Sequence, residues 1–177
     1  MPIPRRIIAT LIAGVAAAHC RAAVPLELVN HEEIHGAAYA RILSMPAKVD
    51  TTLAYCVDIR AVSVSDAEAL TTAWRAKNHK YLALAPILRA EIRTAMISEG
   101  DEAKWRKFDE EMVPELLEWS RTDLTGLIQR LPEGKRKEAC DSTLAAIASG
   151  TFDVNFGLQV AEFFRQRVSG HAHHKKN

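Results

Sequence analysis

His31-Glu32-Glu33-Ile34-His35 is the stretch whose residue types and spacing match a known chemistry. Two histidines four apart share one face of a helix and can grip Zn²⁺, while the glutamate between them acts as general base on the metal-bound water. On that reading the chain is a zinc-dependent hydrolase with His31 and His35 as ligands and Glu32 as base. Catalytic zinc also needs a third protein ligand. Glu68, Glu91 and Glu162 are carboxylates that could serve, and no spacing singles one out. The surroundings speak against catalysis. Glu33 places a charge where metallopeptidases with this motif keep an uncharged side chain, and too little mature chain precedes His31 to shape a substrate cleft. The same residues also read as a helix start. Asn30 stands three before Glu33, the spacing of a capping box, and Glu32 and Glu33 suit the positive end of the helix.

A second metal reading falls on the C-terminus. His171, His173 and His174 lie in a polar run that ends Lys175-Lys176-Asn177. Such tracts bind zinc, copper or nickel, yet a terminus without apolar side chains is also simply a flexible, solubilising tail. Zinc is therefore the one cofactor the sequence suggests, and none is required. No G-x-S-x-G elbow, Gly-rich phosphate loop or C-x-x-C-H haem attachment occurs. The absence of a readable catalytic set points away from an enzyme.

Tryptophan offers another chemistry. Trp74, Trp105 and Trp119 each stand beside Arg or Lys, and Trp with Arg dominates the anchors of protein interfaces. Trp105 and Trp119 are the candidate protein-binding residues; the competing reading is core packing with the indole N–H satisfied at the edge. The adjacent Phe163 and Phe164 cannot share a helix face, so one of them is expected to cover a loop or reach the surface.

The compartment is written at the N-terminus. Arg5 and Arg6 precede an uncharged apolar run, Ile7 to Ala18, and small residues follow to Ala23. This is the layout of a secretory signal peptide, and the run falls short of the roughly 20 residues a membrane-spanning helix needs. Cleavage after Ala22 is expected to remove residues 1–22, and Cys20 with them. Cys56 and Cys140 then remain, an even pair in an oxidising compartment, and are expected to form a disulfide. The mature protein is placed in the periplasm or outside the cell, not spanning a membrane. Loss of Arg5, Arg6 and Arg21 leaves acids in slight excess. Lys135-Arg136-Lys137 is flanked by Glu133 and Glu138, so no nucleic-acid footprint is present.

The elements that must position these residues are helical. Apolar stripes at helical spacing recur along the chain, punctuated by caps and breakers. One stripe runs from Ile34 to Pro46, and Asp50 caps a second. Ser65 with Glu68 opens a third, which Pro86 ends or kinks. The next stops at Gly100. Asp101 caps a segment to Met112, and Pro114 opens a longer helix to Pro132. Further stripes stop at Gly150 and Gly170, the last opening at Asp153 or Asn155. Only residues 61–65 and 152–156 alternate as strands do, and both are too short for a sheet. The expected architecture is all-α, a single-domain bundle of about six to eight helices over residues 23–170, with one disulfide and a tail over 171–177. The expected role is non-enzymatic binding of another periplasmic protein, as an adaptor, inhibitor or immunity-type protein. Zinc hydrolysis and metal binding by the C-terminal histidines are the alternatives.

Overall fold

The computed structural model describes residues 31–98 and 100–174, and every regular element among them is helical. In chain order these are α1 (His31–Asp58), α2 (Val64–Leu82), α3 (Ala85–Ser98), α4 (Glu102–Lys107), α5 (Val113–Gln129), α6 (Glu133–Ser149) and α7 (Leu158–His174). A π-helical segment, Phe108–Met112, joins α4 to α5. Cys56 and Cys140 are bonded, as expected. Among the described residues no helix is long and apolar enough to cross a membrane.

Helix α1 is the axis of the bundle and packs against α2, α3, α5, α6 and α7. The sequence reading expected a stop at Pro46 and a fresh start at Asp50, but α1 runs straight through both. The reason lies in its apolar stripe. Ala38, Ile42, Met45, Val49, Leu53 and Cys56 follow one another at three- and four-residue steps, and all are buried. Pro46 costs about 3 kcal/mol in a helix interior. Each large apolar side chain kept in the core returns about 1.5–3 kcal/mol, and Met45, Val49 and Leu53 all depend on the helix holding its phase. Asp50 is therefore no cap. It lies mid-helix, where its Oδ2 accepts a hydrogen bond from Arg75 on α2.

A second pair of expected helices is fused as well. Pro114 stands in the first turn of α5, as expected, yet the chain passes from α4 to α5 without a break, through the π segment. The Val113 N–H donates to the carbonyl of Phe108, five residues back. This wider turn precedes Pro114, which has no N–H to give and whose ring crowds the carbonyl four residues before it. Two fusions leave fewer rods than the sequence has stripes.

The stops read from glycine hold at Gly100 and Gly150. Both have positive φ, and the Thr151 N–H returns to Ala146 in the pattern of a Schellman cap. The end of α1 uses the same device with Arg60 in the left-handed position (φ 56°) and the Ala61 N–H returning to Cys56. That tight turn sets α2 two residues earlier than expected. Ser63, not Ser65, is its N-cap, accepting from the Asp66 N–H at 3.1 Å and donating to the Asp66 carboxylate at 2.6 Å. At the other end of the chain, α7 passes the expected stop at Gly170 and reaches His174.

The core has two parts. The larger gathers the α1 stripe from Ala38 to Leu53 with Trp74, Leu84, Leu88, Ile92, Trp105, Ile147, Val154 and Phe164. The smaller surrounds the disulfide, with Ile128, Leu124 and Tyr55 against the two cysteines. Lys48 and Asp123, paired at 2.8 Å, tie α1 to α5.

Candidate functional site

Three places gather polar or exposed groups: the second histidine of the HExxH motif, the connection between α6 and α7, and the outward side of the α4–π–α5 rod.

His35 projects from α1 toward α3 and α7. Arg167 of α7 makes a two-point pair with Glu91 of α3, its Nη1 and Nη2 donating to Oε1 and Oε2 at 2.8 Å each. The same Nη2 lies 3.0 Å from Nε2 of His35. A guanidinium has only donors, so Nε2 must be the acceptor and the ring proton sits on Nδ1, which faces Glu91 Oε2 at 3.6 Å. Phe163 closes the group, edge-on to His35 at 5.1 Å and under the Arg167 guanidinium at 5.4 Å. Phe163 is thus the half-buried partner of the fully buried Phe164, and neither ring stands free in solvent. Of the suggested third zinc ligands, only Glu91 meets His35. Glu162 faces outward and is bonded to Arg165 and Gln166, which hold its carboxyl below the usual carboxylate range, Gln166 first. Glu68 is exposed on α2. The side chains of His31, Glu32, His171, His173 and His174, and all of Asn30, lie outside those described. Among the described residues no group of three or more metal-ligating side chains comes together.

The α6–α7 connection, residues 150–157, is held by side chains from two other helices. Asn78 of α2, fully buried, donates to the Asp153 carboxylate at 3.1 Å and to the Trp74 carbonyl at 2.9 Å, and its Oδ1 accepts from the Val154 N–H at 2.9 Å. Arg41 of α1 donates to the carbonyls of Val154 and Asp153 at 2.7 and 3.1 Å; burial pulls its pKa below the ordinary guanidinium value. The Trp74 indole N–H donates to the Phe152 carbonyl, the satisfied edge expected of a core tryptophan. Lys77 pairs with Asp153 at 2.6 Å. Gly150 holds a positive φ of 94° that favours glycine, and a Cβ there would press on the ends of the Asp153 and Lys77 side chains at 2.7 Å. An open cleft of about 460 Å³ borders this connection, lined by Asp153, Asn155, Phe156 and Ala161 with the flanking glycines. Both oxygens of Asp153 are already taken, and the cleft reads as the outside of a structural clamp.

The two candidate anchor tryptophans separate. Trp105 is a core residue, 7 % exposed, with the Arg89 guanidinium 5.4 Å above its ring. The expectation that it anchors a partner is corrected by that burial. Arg89 is fixed in turn by a two-point pair with Asp109 of the π segment, at 2.9 and 2.6 Å. Trp119 is 56 % exposed on α5, and Met112, two turns earlier on the same rod, is 52 % exposed. The Lys48 ammonium sits 4.9 Å from the Trp119 ring centroid while also paired with Asp123, so one face of the indole is held and the rest is open to solvent.

Sequence reasoning missed Arg167, Asn78, Arg41 and Met112. Met112 carried a signal, seven residues before Trp119 and so on nearly the same helical face. Arg167 and Asn78 act across more than seventy positions, and nothing local marks them. No family model, no curated protein and no solved structure matches the chain.

Proposed function

We propose that the chain is exported, loses residues 1–22, and works in the periplasm by binding another protein rather than by catalysis. The observation that carries this reading is Trp119. A tryptophan normally buries most of its surface, and Trp74 and Trp105 do so here. Trp119 instead lies open on α5, two turns beyond the exposed Met112, the setting of an interface anchor. The signal-like N-terminus and the disulfide between Cys56 and Cys140 support the compartment. Zinc hydrolysis at the HExxH motif would require a metal to displace Arg167 from His35 Nε2, against the two-point pairing with Glu91 that holds it.

Mass spectrometry of the chain produced in a Gram-negative host, with affinity isolation from periplasmic extract, tests both halves. A mature chain beginning at Ala23, and a stoichiometric partner lost on Trp119→Ala, are the expected results. An intact Met1 removes the compartment. A cleaved chain that retains no protein removes the binding.

A further inference from the structure

Resting on the protein-binding reading, the geometry points to the outward face of the π–α5 rod as the docking surface, and to a cationic amphipathic segment of a different protein as its occupant. Met112 and Trp119 give the apolar part. Around them stand Glu111, Glu115 and Glu118, all exposed, at steps that keep them on the outward side of the same rod. Asp109 is used by Arg89, and Glu118 meets Arg121 only at 3.4 Å. Glu110, Glu111 and Glu115 have no ion-pair partner among the described residues. From Phe108 to Ser120 the rod carries five acids and no base. Lys48, 4.9 Å from the Trp119 ring centroid, is neutralised by Asp123.

Charge decides among the occupants. A second copy of this chain on the same face would set Glu111, Glu115 and Glu118 against themselves. Anionic lipid and nucleic acid would meet the same repulsion. A segment with Leu-like side chains for Met112 and Trp119, flanked by Lys or Arg, satisfies both parts of the surface and is steered toward it.

Two measurements on the full mature chain test this. In the first, a synthetic amphipathic peptide with Leu on one face and Lys on its flanks is titrated while the indole N–H signals are followed by NMR; a version with Glu for Lys is the control. The Lys peptide should shift the Trp119 indole and leave Trp74 and Trp105 still. Binding should weaken at least about tenfold in Trp119→Ala, in the triple variant Glu111→Gln/Glu115→Gln/Glu118→Gln, and on raising the salt. Thermal melting of the triple variant reports whether it folds. Equal binding of the Glu peptide, no binding of the Lys peptide, or shifts confined to other surfaces would overturn the proposal. In the second, a photo-crosslinking amino acid replaces Glu115 in the living host, with controls at Glu68 and Phe156. An adduct to another protein through a Lys/Arg-rich peptide is expected at position 115 alone. A doubled mass of the chain itself, or an acidic contact peptide, overturns the proposal. Adducts only at Glu68 or Phe156 overturn this surface and leave the protein-binding reading standing; no adduct at any position removes both.

Discussion

Asn78 shows how much one buried side chain can fix. Its amide makes three hydrogen bonds, to Trp74, Asp153 and Val154, and none of its surface reaches solvent. Asn78→Ala would leave the Val154 N–H and one Asp153 oxygen unpaired in the interior. The expected cost is about 2–4 kcal/mol, because an orphaned buried polar group loses its full solvation; chemical denaturation measures it. Tyr39 offers a different residue-scale test. Burial raises its pKa above the usual 10.0, with Arg89 lowering it and Asp109 raising it. The folded chain therefore holds the phenol proton more tightly than the unfolded chain. Stability from this group is complete below the unfolded value and is lost as pH climbs through the higher folded value. Melting profiles taken across the alkaline range should fall more steeply for the native chain than for Tyr39→Phe. Equal slopes would show that Tyr39 does not contribute.

Helix α1 carries the clearest lesson about elements. The helical class, the stops at Gly100 and Gly150 and the buried stripes were all legible in the sequence, because they depend on short-range periodicity and on backbone conformations glycine adopts easily. The run of α1 through Pro46 and the π link that precedes Pro114 were not. A proline is a strong local breaker, and only the unbroken phase of Ile42, Met45, Val49 and Leu53 across Pro46 reveals that tertiary burial overrides it. Of the candidate site, the tryptophan pair was legible as a pair; which one faces solvent was not, since that depends on how the rod packs on α1. His35 was legible as a residue that could hold metal, but its engagement by Arg167 arises between helices far apart in sequence. If α1 tolerates Pro46 rather than needing it, Pro46→Ala should restore the hydrogen bond to Ile42 and stabilise the chain. Proline's restriction of the unfolded state offsets part of that gain, leaving about 1–2 kcal/mol. A higher midpoint in urea with an unchanged slope is the expected result; a loss of stability would mean that the bundle exploits a bend at Pro46.

At the scale of the molecule, the disulfide joins the end of the central helix to α6 across a separation of 84 residues. Its surroundings are thin, with Ile128 and a few half-buried side chains, whereas most of the buried apolar residues belong to the larger cluster. The smaller cluster has less burial than the larger one to oppose fraying, so the covalent link matters most there. On the chain-entropy model, closing a loop of this length contributes about 4–5 kcal/mol, and measured losses on removing native bridges run about 2–5 kcal/mol. Because the larger core does not involve either cysteine, Cys56→Ala/Cys140→Ala should keep its helix content in the cold while its melting temperature drops. Protection from hydrogen exchange should disappear first at Leu124, Ile128 and Ala139 around the lost bridge, and last at Val49, Leu88 and Phe164. Uniform loss of protection across both groups would show instead that the two parts of the core fold as a single cooperative unit, with the bridge stabilising all of it equally.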